Sequence, residues 1–133
     1  MNFLMPDDMK EKYFIELKQY NRFYKNGDLK TAWRHLERAH IIGQYHPFSH
    51  FGSHFRMMIF AIKQKDLNEF MGQVPRLLGG WIGSLFNKIP VGNTGGANVP
   101  IFAPMEIPND LKELLKDADT TAKGLSGFKK KNL

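Results

Sequence analysis

The chain is expected to fold as an all-α protein. Two antiparallel helical hairpins, tetratricopeptide-like, are followed by an irregular Gly/Pro-rich arm and a short C-terminal helix. Three observations predict this. Apolar residues recur at spacings of three and four along four successive stretches. Aspartates cap two of these stretches, Asp28 and Asp66, and Pro47 stands in the turn before the third. The connections between them run to only a few residues, which makes neighbouring helices antiparallel.

The first helix spans about Asp7 to Lys25, with Met9, Tyr13, Leu17, Tyr20 and Tyr24 as its apolar stripe. Asn26-Gly27 stops it, and Asp28 is a good N-cap for the second helix. That helix places Leu29, Ala32, Trp33, Leu36, Ala39 and His40 on one side and ends near Gly43. After a turn at Tyr45-His46-Pro47, the third helix runs from about Phe48 to Gln64, with Phe51, Phe55, Met58 and Ile62 as its stripe. Asp66 caps the fourth, whose stripe is Leu67, Phe70, Met71, Val74, Leu77, Leu78, Trp81 and Leu85. Pro75 is expected to kink or restart this helix, because it lacks an amide and clashes with the preceding turn. Asp28-Leu29 recurs as Asp66-Leu67, 38 residues on, a weak internal repeat of the length seen in tetratricopeptide hairpins. The match is partial, since the full tryptophan, glycine and tyrosine pattern is missing.

Beyond Asn87 the texture changes. The run Ile89-Pro90-Val91-Gly92-Asn93-Thr94-Gly95-Gly96-Ala97-Asn98-Val99-Pro100 carries no charge. It lacks the closing Gly-Lys-Ser/Thr of a phosphate loop, so a structured turn continuing into an extended arm at 88–108 is preferred over an anion cradle. Val99, Ile101, Phe102, Met105 and Ile107 should pack that arm onto the helices. A last short helix is expected from Asn109 to Ala118.

A length of 133 residues allows one domain, placed at 1–119, and leaves no room for separate cofactor and substrate domains. Residues 120–133 are expected to form a basic, disordered tail. The tail's Lys123, Lys129, Lys130 and Lys131, with no acid, supply +4 of the net +6; 19 basic residues less these four leave 15 against 13 acidic. No helix shows a basic groove with interleaved aromatics, so nucleic acid is a disfavoured partner. With no cysteine there is neither a disulfide framework nor a thiolate metal site. The start lacks the flank and apolar core of a signal peptide, and the greasiest stretch, Phe70 to Phe86, is too interrupted to span a bilayer. A cytoplasmic protein without a membrane partner is expected; a protein partner or a second copy of the chain is allowed.

The chemistry concentrates in one place. Four of the five histidines fall between His40 and His54. Glu37 and His40 are three apart, and His50 and His54 four apart, so each pair shares a helix face. In an antiparallel hairpin the end of the second helix meets the start of the third, which brings these four groups within reach of one another. Such a set suits a divalent transition metal, zinc or iron, held by nitrogen and oxygen ligands. The known motifs fit in part. His50-Phe51-Gly52-Ser53-His54 has zincin spacing but carries Phe51 where the glutamate belongs. Glu37-x-x-His40 resembles half of a di-iron carboxylate site, but three residues after Glu69 comes Gly72, not histidine. His35 and His46 are expected to be a solvated helix position and a turn residue, and His40 could instead be a satisfied core histidine.

Leu36-Glu37-Arg38-Ala39-His40-Ile41-Ile42-Gly43-Gln44, then His50, His54 and Met57-Met58, then Glu69, Gly72-Gln73 and Arg76, then Pro90-Val91-Gly92-Asn93-Thr94-Gly95-Gly96, resemble the signature of a bacterial family of short proteins known as a domain of unknown function. The resemblance covers about residues 10 to 112 and implies membership without an activity. Glu37, His40, His50, His54, Glu69 and Gln73 are among the matching positions. Three function classes follow. The first is a small metal-binding protein in metal handling, with Glu37, His40, His50 and His54 as ligands and Glu69, Gln73 and Arg76 behind them. The second is a helical interaction module with structural histidines. The third is a metal-dependent enzyme with Glu37 or Glu69 as base. The first is preferred, because no complete acid/base or nucleophile constellation is present.

Overall fold

The structure, a computed structural model, describes residues 5–85, 92–101 and 103–116, with the backbone alone at 80–85. The basic tail at 120–133, residues 88–91 of the arm, Phe102 and the side chains of Trp81 and Leu85 lie outside the described residues.

The protein is all-α. Helices α1 (Asp7–Lys25), α2 (Leu29–Gly43), α3 (Pro47–Lys63) and α4 (Leu67–Leu85) are followed by the short α5 (Asn109–Leu115). α1 packs on α2 and α3 on α4 as two antiparallel hairpins, which meet along α2 and α3. Asp7 and Asp8 place negative charge in the first turn of α1, where the helix dipole favours it. The two hairpin turns are built alike. Asp28 accepts from the Thr31 amide at 3.2 Å and Asp66 from the Glu69 amide at 3.0 Å. Each aspartate amide also reaches back to the preceding helix, Asp28 to the Phe23 carbonyl and Asp66 to that of Ala61. The left-handed residue that permits this return is Gly27 in the first turn (φ 82°) but Lys65 in the second (φ 55°). α4 does not restart at Pro75; it continues through it.

The core gathers Met9, Tyr13 and Leu17 of α1, Leu36, Ala39, Ile41 and Ile42 of α2, Tyr45, Met57 of α3, and Ile107, Leu111 and Leu115. A buried carboxylate ties three helices to it. Glu16 meets His35 Nδ1 at 2.6 Å, Arg38 at 2.9 Å and Lys12 at 3.2 Å, and Arg38 continues to Asp110 at the start of α5. Burial opposes the charge on Glu16, but these partners outweigh it and hold its pKa below the ordinary value. His35, expected in solvent, is therefore an inter-helix partner, and its ring stacks on Phe23.

Two expectations of burial are corrected. Phe51, Phe55 and Ile62 of α3 are exposed, as are Leu67, Met71 and Leu78 of α4. The inner face of α3 consists instead of His50, Ser53, His54, Met57 and Ala61. In the arm, Ile107 is buried, but Ile101 and Met105 are exposed. Besides Ile107, the arm buries polar Asn93 and Thr94. No helix among the described residues is long and apolar enough to cross a membrane.

Candidate metal centre

The turn between α2 and α3 sets the geometry. His46 caps α3, its amide bonded to the Gly43 carbonyl at 3.0 Å, and Pro47 supplies the first helical residue without wasting an amide. The two helix ends approach so closely at Gly43 that a Cβ there would lie 2.9 Å from Ser49 Cβ and 3.0 Å from the Tyr13 ring. The approach points His40, near the end of α2, at His50 and His54 in the first half of α3.

The three imidazoles are buried and converge. His54 Nε2 lies 3.0 Å from His40 Nε2 and 3.1 Å from His50 Nε2. One ligand nitrogen from each ring falls within 4.8 Å of the others, so the group could hold a metal ion. Nitrogens bound tetrahedrally at about 2.1 Å from zinc stand about 3.4 Å apart, a few tenths of an ångström more than the two separations from His54.

Two of the three tautomers are fixed from behind. His40 Nδ1 is 2.9 Å from the Asn93 carbonyl, which can only accept, so this nitrogen carries the proton. His54 Nδ1 is 2.7 Å from Gln73 Oε1. The Gln73 amide cannot be reversed, because its nitrogen donates to Glu69 Oε1 at 2.7 Å and to the Gly95 carbonyl at 2.8 Å. His54 Nδ1 therefore also carries its proton. With both Nδ1 atoms protonated, the Nε2 atoms of neutral His40 and His54 are bare lone pairs facing each other at 3.0 Å. Two such lone pairs share no hydrogen bond, and both nitrogens are placed where they could ligate an ion.

A proton is poorly suited to that place. Burial pushes the pKa values of His40 and His50 well below the ordinary imidazole value, and the neighbouring imidazoles add to the effect. His54 is pushed down to about 4, mainly by burial; its bond to Gln73 offsets this in part and the Arg76 charge works against protonation. The three rings stand neutral near pH 7, the form that ligates metal.

The segment Gly92–Asn98 closes the site using mostly its backbone. Asn93 braces the loop: its amide donates to the carbonyls of Pro100 at 2.9 Å and Ala103 at 2.8 Å, and its oxygen accepts from the Gly95 amide at 2.8 Å. Gly95, at φ 85°, lies flat on His40, where a Cβ would sit 2.8 Å from the ring. The loop is fastened to α4 by Glu69, whose carboxylate accepts the Ala97 amide at 3.0 and 3.1 Å. Gly72 makes room for it, since a Cβ there would stand 2.3 Å from that of Ala97.

Of the sequence-derived candidates, His40, His50 and His54 come together. Gln73 bonds to His54 directly and Glu69 stands behind Gln73. Arg76 donates to the carbonyls of Gly72 at 2.7 Å and Val99 at 2.6 Å. Glu37 is outside the converging group among the described residues. Its carboxylate lies 3.6 Å from Arg34, one turn back, and interacts with the Thr94 side chain. Burial raises its pKa, with Arg34 and Thr94 opposing. Asn93 and Gly95 were missed as supports of the histidines, because a backbone carbonyl carries no side-chain signature; the uncharged glycine run was the only hint.

No curated protein and no solved structure matches the chain. A family match covers residues 7–115, which takes in all five helices, the three histidines and the loop that closes over them. The chain thus belongs to the family described as "Protein of unknown function (DUF3703)".

Proposed function

We propose that this protein binds one transition metal ion through Nε2 of His40, His50 and His54, as a metal-handling protein. The observation that carries the reading is the pair of Nε2 lone pairs on His40 and His54, turned toward each other because the Asn93 carbonyl and Gln73 oxygen hold the opposite nitrogens as donors. Metal-bound histidines characteristically have such a partner behind them. Three neutral imidazoles without a converging carboxylate or thiolate favour zinc among the common ions. Iron, the other candidate, is less well served, because its usual facial set includes a carboxylate and Glu37 turns to Arg34 and Thr94.

The enzyme reading draws less support. Glu69, one candidate base, spends its oxygens on the Ala97 amide and on Gln73.

Metal analysis of protein purified without a histidine tag, with zinc titration calorimetry at neutral pH, tests the proposal. One ion per chain is expected, and His50→Ala or His54→Ala should abolish most of the binding with the helices retained. A protein that takes up no zinc, nickel, copper or iron, or binding indifferent to both substitutions, overturns it.

A further inference from the structure

The hydrogen bonds behind the histidines all point one way, and their direction reaches past the two tautomers it fixes. They start at the Gly95 carbonyl and the Glu69 carboxylate, both of which accept from the Gln73 nitrogen. The Gln73 oxygen is therefore turned to His54, where Nδ1 donates to it at 2.7 Å. That leaves His54 Nε2 an acceptor. His50 Nε2 stands 3.1 Å from it, within hydrogen-bond distance.

A hydrogen bond between two ring nitrogens needs a proton on one of them. His54 Nε2 carries none, so the proton belongs to His50 Nε2. His40 cannot supply it, because its own proton is committed on Nδ1 to the Asn93 carbonyl. An extra proton on one of the rings is opposed by burial, which lowers the pKa values of all three. His54 is also buried, and a buried acceptor left without a donor is destabilising. We infer that His50 in the metal-free protein is the Nε2–H tautomer, the opposite of His40 and His54, and joins the triad by donating to His54.

A consequence for ion binding follows, and this part rests on the metal reading above. Ligation through Nε2 of His50 needs a lone pair there. The ring must give up the Nε2 proton and carry one on Nδ1 instead, with its charge the same before and after. His40 presents its lone pair directly, whereas those of His50 and His54 are released together when the bond between them breaks. Gln73→Leu should impose a second arrangement. With its Nδ1 acceptor gone, His54 finds another in His40 Nε2, 3.0 Å from its own Nε2. Its proton should move to Nε2, and His50 Nε2, now facing an N–H group, should lose the proton it held.

Long-range proton–nitrogen correlation spectra of the imidazole rings, recorded on the full chain at neutral pH, report which nitrogen of each neutral ring is protonated. With chelator, His40 and His54 should carry the proton on Nδ1 and His50 on Nε2. With one equivalent of zinc, all three should carry it on Nδ1. In metal-free Gln73→Leu, His54 and His50 should exchange tautomers together. A metal-free His50 protonated on Nδ1, a His50 still protonated on Nε2 in Gln73→Leu, or one still protonated there with zinc bound overturns the inference. Spectra indifferent to zinc overturn the metal reading instead, and the metal-free spectrum alone then decides the His50 tautomer.

Discussion

Acidifying the metal-free protein from pH 6.5 towards pH 4 is expected to destabilise it, and zinc should postpone the loss. The sign follows from the histidines. In the unfolded chain each imidazole takes up a proton near its ordinary 6.5, whereas folded His54 does so only near 4 and folded His40 and His50 are shifted in the same direction. Within that window the unfolded state binds more protons, so the stability these groups contribute is complete above pH 6.5 and falls as the pH is lowered. For His54 alone the difference is about 3 kcal/mol by pH 4. His40 and His50 add to this loss in the same direction, against a typical domain stability of about 5–15 kcal/mol. Glu16 acts in a lower window. Its depressed pKa contributes stability above its ordinary 4.5 that is lost only as the pH falls through the folded value. Urea unfolding followed by circular dichroism at successive pH values, with chelator and with zinc, measures both effects. A metal-free stability that stays flat between pH 6.5 and pH 4 would refute the buried neutral histidines, and an acid midpoint unmoved by zinc would refute their role as ligands.

Gln73→Leu removes the acceptor behind His54 at similar volume and should weaken zinc binding about 10–100-fold in calorimetry, with the helices intact; unchanged affinity would show that the His54 tautomer is not held from α4. Gly95→Ala puts a Cβ into the His40 ring at a positive φ of 85°. Its backbone cost alone is about 1–2 kcal/mol, so both melting temperature and zinc affinity should fall, and a variant equal to wild type in both would contradict the closed loop. His35→Ala breaks the bond to Glu16 and should cost about 1–3 kcal/mol in urea unfolding while leaving zinc binding intact.

The helices were legible because capping aspartates and the spacing of apolar residues are local properties, and α1 fills the span expected for it, Asp7–Lys25. What covers an apolar stripe is not local. Phe51, Phe55 and Ile62 read as the core side of α3, although the side actually buried carries His50, Ser53 and His54, which a hydrophobicity pattern counts as polar. The histidines could be found from their spacing across one turn. Glu37 could not be placed so simply: three residues before His40 it shares the broad face but lies about 60° round the helix, where Arg34 and Thr94 receive it. The arm misled for a related reason. Its apolar residues suggested greasy packing, whereas Asn93, Glu69, Gln73 and Arg76 fasten it by hydrogen bonds to backbone groups.

The loop over the histidines touches both halves of the molecule. Through the Asn93 carbonyl it holds His40 of the first hairpin, and through Gln73, Glu69 and Arg76 it is tied to α4 of the second. An ion shared by His40 on one hairpin and His50 and His54 on the other would rivet the same joint from within. Prying the hairpins apart and losing the ion then become one event, and by thermodynamic reciprocity anything that clamps the hairpins together tightens the ion. Release need not await a competing chelator; a partner that levers α2 from α3 would be enough.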